Sequence, residues 1–300
     1  MQAKVAAAFA AVYVIWGSTY LAIKFVIETI PPFFMAGTRF IIAGLVLYAF
    51  ARIQSQGKAI RETKAHWGRA FIIGGLMLLG GHGAVVWTEQ WVPSGLVSLL
   101  IATVPLWMVF VDWLRGGSEP SGRIASGLVL GFVGVALLVG GLENLGESQV
   151  DIVGAAIVVF GAFLWANGSL YSRSAKLPSS PLLATAMQMT AGGLLLLLAS
   201  LVTGEYLRIR LDLISARSLA SWIYLIVFGA LVAFTSYIWL LKVTTSAKVS
   251  TYAYVNPIVA MVLGWALAAE PLTLRNILAA AIILTAVILI TTHQPKRKGA

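Results

Sequence analysis

Ten runs of mostly apolar residues, each near the length needed to cross a bilayer, follow one another along the chain. They lie at roughly 5–27, 33–51, 70–89, 94–114, 124–141, 152–172, 181–203, 219–241, 247–269 and 273–292. A helix rises about 1.5 Å per residue, so about 20 residues cross the hydrocarbon layer. In lipid every backbone N–H and C=O must be satisfied within the chain, which leaves helices or closed barrels, and barrel strands are about half as long. The runs therefore predict an all-α membrane protein of ten transmembrane helices with short connections. Composition agrees: 59% of the 300 residues are hydrophobic and 11% charged, too apolar for an ordinary soluble domain. The first run continues from Lys4 to Ile27, longer than the apolar core of a secretory leader, and is read as a span.

The net charge of +10 first suggests a nucleic-acid partner, but the basic residues sit between apolar runs. With the N-terminus in the cytoplasm, the inner segments hold 15 of the 21 Lys and Arg residues and the outer segments hold four, Arg208, Arg210, Arg217 and Arg275. Lys24 and Arg39 lie inside spans. Such an asymmetry sets orientation, and it predicts both termini inside with lipid rather than nucleic acid as the surrounding partner. The chain has no cysteine, which excludes disulfides and thiolate metal sites.

The two halves repeat. A shift of 149 lays Trp16 on Trp165, Pro32 on Pro181 and Arg39 on Gln188. A shift of 152 lays Trp87 on Trp239, Ser94 on Ser246, Ser98 on Ser250, Pro105 on Pro257 and Arg123 on Arg275, with Glu119-Pro120 and Glu270-Pro271 matching at 151. This predicts two repeats, residues 1–146 and 147–300. Each holds five helices, an odd number, so the second enters the membrane inverted relative to the first, an arrangement common in alternating-access transporters.

Taken in order, Trp16-Gly17-Ser18, Arg39-Phe40, the Pro105 helix, Glu119-Pro120 and the Tyr252–Pro257 stretch resemble the EamA family of the drug/metabolite transporter superfamily. The resemblance covers essentially the whole chain. It implies two inverted EamA repeats and an inner-membrane exporter of small metabolites, often amino acids. The second half departs from the first where Ala166-Asn167 replaces Gly17-Ser18 and Gln188 replaces Arg39.

The candidate substrate-binding residues come from four sources. First, Pro105 and Pro257 lie inside spans, and each frees the carbonyl four residues upstream. Ser98 and Ala102 share a helical face with Pro105, as do Ser250 and Tyr254 with Pro257, and Asn256 adds an amide. These two broken helices are expected to face each other across a cavity. Second, Trp16, Trp107 and Trp165 lie inside spans and offer apolar walls with one N–H each. Third, His82 is an ionisable group at membrane depth, which marks a functional candidate by default, and Glu89 lies on the same helical face nearer the end. Fourth, Thr19 and Asn167 add a hydroxyl and an amide on the first helix of each repeat. Lys24 and Glu28, four apart, read as a surface pair. Gly127, Gly131 and Gly134 read as a close-packing face.

These features favour export of small neutral metabolites, foremost amino acids with apolar or aromatic side chains. A proton-coupled efflux pump for cationic drugs is the alternative. The resemblance implies that such pumps are built around a central acid in the first helix, where none precedes Glu28 here. No HExxH, GxSxG or phosphate-loop pattern is present, so no enzyme, cofactor or metal is expected.

Overall fold

The computed structural model describes residues 2–54, 62–116, 121–140, 151–249 and 251–291. Among them, seven helices are long and apolar enough to cross a membrane. They are α1 (Gln2–Val26), α2 (Pro32–Gln54), α3 (Lys64–Thr88), α4 (Ser94–Leu114), α6 (Ile152–Ser174), α7 (Pro181–Val202) and α8 (Ala216–Val243). Three further apolar helices complete the described chain: α5 (Gly122–Gly140), α9 (Tyr252–Ala268) and α10 (Leu274–Thr291).

Local chemistry explains where helices begin. Thr63 and His66 form a reciprocal cap at the start of α3, with side-chain-to-backbone distances of 3.2 and 3.4 Å. The Asp151 carboxylate accepts from the Val153 amide at 2.9 Å, and the hydroxyls of Ser180 and Ser215 cap α7 and α8. Pro32 and Pro181 open their helices, where the missing N–H costs nothing. Large apolar side chains such as Val14, Leu45, Phe50, Phe160, Leu198 and Trp265 are exposed on the outside of the bundle, as a lipid-facing surface requires.

The core is built on glycine contacts between α2 and α7. A methyl group placed on Gly44 would strike Thr190 and the Ala186 carbonyl, and one on Gly193 would strike Ile41 and the Gly37 carbonyl. Residues 41 and 190, 44 and 193, and 37 and 186 are all separated by 149. Each contact therefore occurs twice with its partners exchanged, the pattern of a two-fold interface. α5 and α10 repeat it with the other shift. Gly131 meets Ala286 while Gly134 meets Ile283, and 131 and 283, like 134 and 286, differ by 152.

Side-chain contacts tie the helix ends together. At the end holding the α1–α2 turn, Glu28 pairs with Arg217, so it is not the local partner of Lys24 that their spacing suggests. There the Glu205 carboxylate accepts from the amides of Phe33 and Phe34 at 3.3 and 2.9 Å. Glu270 accepts from the Ser94 amide at 2.8 Å, the Ser94 hydroxyl at 3.0 Å and the Gly95 amide at 3.1 Å. At the opposite end, Arg69 donates to the Lys176 carbonyl at 2.8 Å, and the hydroxyls of Tyr13 and Thr251 meet.

The two proline helices differ in detail. α4 breaks at Ala102-Thr103, and Pro105 stands in the first turn of its second segment, Val104–Leu114. Pro257 instead lies within the continuous helix α9, which begins after a short helix Ser246–Val249. The two helices do not face each other across open space. Gly95 of α4 meets Met261 of α9, because a residue without a side chain lets the neighbour approach.

Candidate functional site

An interior cavity lies where α1, α2, α3, α6 and α8 converge, with Ile101 of α4 and Tyr252 of α9 closing it. Its volume is about 60 Å³, room for a few water molecules. Three wide, π-helical segments border it: Ala11–Ile15 ends beside Trp16, Gly74–His82 carries Gly81 and His82, and Leu225–Phe234 carries Gly229 and Phe234. Such segments interrupt the regular ladder and recur at functional sites.

One wall is aromatic. Trp16 and Trp165 meet edge to face with ring centroids 5.6 Å apart. Trp16 also lies 4.9 Å from Tyr237 and 5.4 Å from Tyr252, and Trp165 lies 5.7 Å from Tyr237. The polar tips are satisfied locally. The Trp16 indole donates to the Gly229 carbonyl at 3.2 Å, and the Trp165 indole donates to the Tyr237 hydroxyl at 3.2 Å. Ser169 bonds the same hydroxyl at 2.8 Å. Thr19 donates to the Trp16 carbonyl at 2.7 Å and so turns its methyl group outward from that bond.

A basic group borders the same cavity. Arg39 on α2 is buried, and its single hydrogen bond among the described residues runs from Nη1 to Nε2 of His82 at 3.4 Å. A guanidinium only donates, so Nε2 accepts and the imidazole proton sits on Nδ1. The guanidinium also lies 4.8 Å from the centroid of the Phe40 ring. Gly229 fits beneath it, since a methyl there would strike Nη2.

Glu89 stands beyond the cavity, two turns past His82. It is fully buried, and neither carboxylate oxygen has a partner. Lys24 reaches its backbone carbonyl at 3.4 Å.

Of the residues expected from the sequence, the structure brings Trp16, Thr19, His82 and Trp165 to the cavity. Others lie elsewhere. Ser98 is buried and returns its hydroxyl to the Gly95 carbonyl at 2.6 Å, and Ala102 is buried at the α4 break. Trp107 stands among Phe110, Phe132 and Phe163, on the far side of α6 from the cavity wall, with no acceptor for its indole N–H. Asn167 faces the α4 terminus, where its carbonyl oxygen accepts from Arg115 at 2.9 Å. Asn256 is buried, and with its amide turned to donate it reaches the carbonyls of Tyr13 and Tyr252 at 2.9 and 3.3 Å. Ser250 and the side chain of Tyr254 lie outside the described residues.

Arg39, Phe40 and Tyr252 also line the cavity and Tyr237 backs Trp165, though none of the four was among the candidate substrate-binding residues. A usable signal existed for Arg39. A charged residue costs about 2.5–3.5 kcal/mol or more at the centre of a span, so an arginine there needs a purpose.

Comparison with known proteins gives a consistent picture. The model of the EamA-like transporter family matches residues 3–140 and again 152–292. The chain is 36% identical over 285 residues to the inner membrane transporter YedA of Escherichia coli K12, covering 94% of this chain and 88% of that one. It is 25% identical to the transporter YvbV of Bacillus subtilis, covering 96% and 91% of the two chains. A solved crystal structure superposes with a TM-score of 0.69 over 97% of this chain and 98% of its own, at 18% identity, and so has the same fold.

Proposed function

The chain belongs to the EamA-like transporter family, and on that premise we propose that it exports small neutral metabolites, foremost amino acids with apolar or aromatic side chains, by alternating access. In this reading it lies in a bacterial inner membrane as ten spans, residues 1–146 and 147–300 forming two inverted halves with both termini in the cytoplasm. The exchanged contacts of α2 with α7 and of α5 with α10 support the two-fold relation between the halves.

One observation carries the substrate reading. Trp16 and Trp165, equivalent positions of the two halves, meet at the cavity and supply it with an apolar wall. Transporters of this architecture hold ligand near mid-membrane at the repeat interface. The rings fill much of that space, so this conformation suits the empty carrier, and rocking of the halves would part them to admit a side chain. Trp16, Thr19, His82 and Trp165 then touch substrate. Ser98 and Ala102, beside the α4 break, and Asn256, beside the start of α9, shape the movement rather than the wall.

The cationic-drug alternative lacks its central requirement, because no carboxylate lines the cavity among the described residues. Counterflow into liposomes holding the purified protein tests both readings. Neutral amino acids such as phenylalanine or methionine should exchange in preference to aspartate, lysine or a quaternary ammonium dye. Saturable dye transport that no neutral amino acid inhibits would sink the amino-acid reading and favour the pump.

A further inference from the structure

We propose that the cavity recognises its substrate through a carboxylate, held by the guanidinium of Arg39, with His82 as the acceptor that occupies the guanidinium while the site is empty. The inference rests on the cavity being the transport site, and it holds whether or not the substrate also carries an ammonium group.

Arg39 is only 2% exposed. A guanidinium stays charged and offers five N–H donors in a planar fork. Buried charges are paired, because an isolated one is costly in a medium of low dielectric. Yet no carboxylate of the described residues stands within 4 Å of Arg39. Its Nε has no partner, and its one hydrogen bond, to neutral His82, is long. A purely structural arginine would spend its donors on backbone carbonyls, and this one makes no such bond among the described residues. At Glu89, the buried acid further along α3, it is Lys24 that approaches, reaching the backbone carbonyl at 3.4 Å.

The surroundings are built for the guanidinium. Gly229 leaves room for Nη2, and the Phe40 ring face receives the cation. What is missing is an anion, and the group lines the cavity where one could enter. A fork of this kind matches both carboxylate and phosphate. One guanidinium balances a carboxylate, whereas a phosphate dianion would leave a net negative charge, and no second cation lines the cavity among the described residues. A carboxylate at Arg39 also leaves the remainder of a small molecule in the same cavity as Trp16 and Trp165.

The test compares ligands that share a phenyl ring and differ at the polar end. Purified full-length protein is titrated with phenylalanine, phenylacetate, phenethylamine and phenyl phosphate, following tryptophan fluorescence. At least one of the two carboxylates should bind about 10–100-fold more tightly than phenethylamine, the range expected for a charge-assisted hydrogen bond. Arg39→Gln should remove that difference, and Arg39→Lys should restore part of it, because lysine keeps the charge and loses the fork. Melting curves of both variants establish that they are folded, and the ligand series on the unaltered protein decides independently if they are not. Phenylacetate binding without phenylalanine binding would end the amino-acid reading and leave the Arg39 assignment standing. Phenethylamine binding as tightly as the carboxylates, phenyl phosphate binding most tightly, no carboxylate binding at all, or a folded Arg39→Gln protein with undiminished carboxylate affinity would each overturn the assignment.

Discussion

Trp16 and Trp165 stand edge to face at 5.6 Å, each the other's counterpart 149 residues away. In the proposed two-fold arrangement this contact joins one half to the other, so movement of one half against the other would part or re-form it. Trp165→Ala should therefore weaken transport of aromatic substrates more than that of small ones, by several-fold to about 10-fold, since an aromatic pair contributes about 0.5–1.5 kcal/mol beyond area burial. Half-saturation constants for phenylalanine and alanine in counterflow check this. Equal losses for both would remove Trp165 from the substrate wall.

The glycine interface predicts a paired effect on stability. Gly193→Ala pushes a methyl group into the Gly37 carbonyl and the Ile41 amide, and Gly44→Ala pushes one into the Thr190 amide. Backbone cannot step aside as a side-chain tip can, so each change should cost about 1–3 kcal/mol. Gly68, with nothing within 4 Å, is the control. Gly68→Ala should be neutral or stabilising by about 0.5–1 kcal/mol. Thermal melts in detergent would show the contrast, and two interface variants as stable as the control would refute the contact.

Glu270 holds the first turn of α4 through three hydrogen bonds. Glu270→Gln keeps the shape, loses the negative charge, and exchanges one acceptor oxygen for a donor that faces other donors. A loss of about 1.5–3 kcal/mol is expected, the range for hydrogen bonds to a charged group. A cysteine in place of Leu96, buried in that turn, would then react faster with a water-soluble thiol reagent than it does beside an intact Glu270. An unchanged rate would mean that Glu270 does not hold this end closed.

Orientation follows from the charge asymmetry. A reporter fused after Ala300 should read cytoplasmic, and one inserted between residues 143 and 151 should read external. The reverse at either position would contradict the inverted arrangement.

The architecture was legible because lipid allows few solutions. Run length marks the seven helices long and apolar enough to span among the described residues, and the offset of 149 located Trp16 and Trp165, which meet. The site was legible only in part. Trp16, Thr19, His82 and Trp165 were reachable from depth and residue type. Trp107 and Trp165 look alike in sequence, but facing is set by helix rotation and by the π-helical segments, which shift the register of α1, α3 and α8 in ways that regular periodicity does not encode. Asn167 was misplaced for a similar reason, since its partner Arg115 lies 52 residues away in sequence. Arg39 was visible as a charge inside a span, but its missing counter-ion is a fact of three dimensions.

That missing counter-ion gives the molecule an electrical character. One elementary charge moved through the full membrane field changes energy by about 2.3 kcal/mol per 100 mV. The aromatic wall carries no net charge and does not respond to voltage. The guanidinium of Arg39 does, in proportion to the fraction of the field it crosses. A bound monocarboxylate would cancel its charge, while a zwitterion would leave it. The voltage dependence of exchange thus reports whether the transported species neutralises the carrier or leaves it charged.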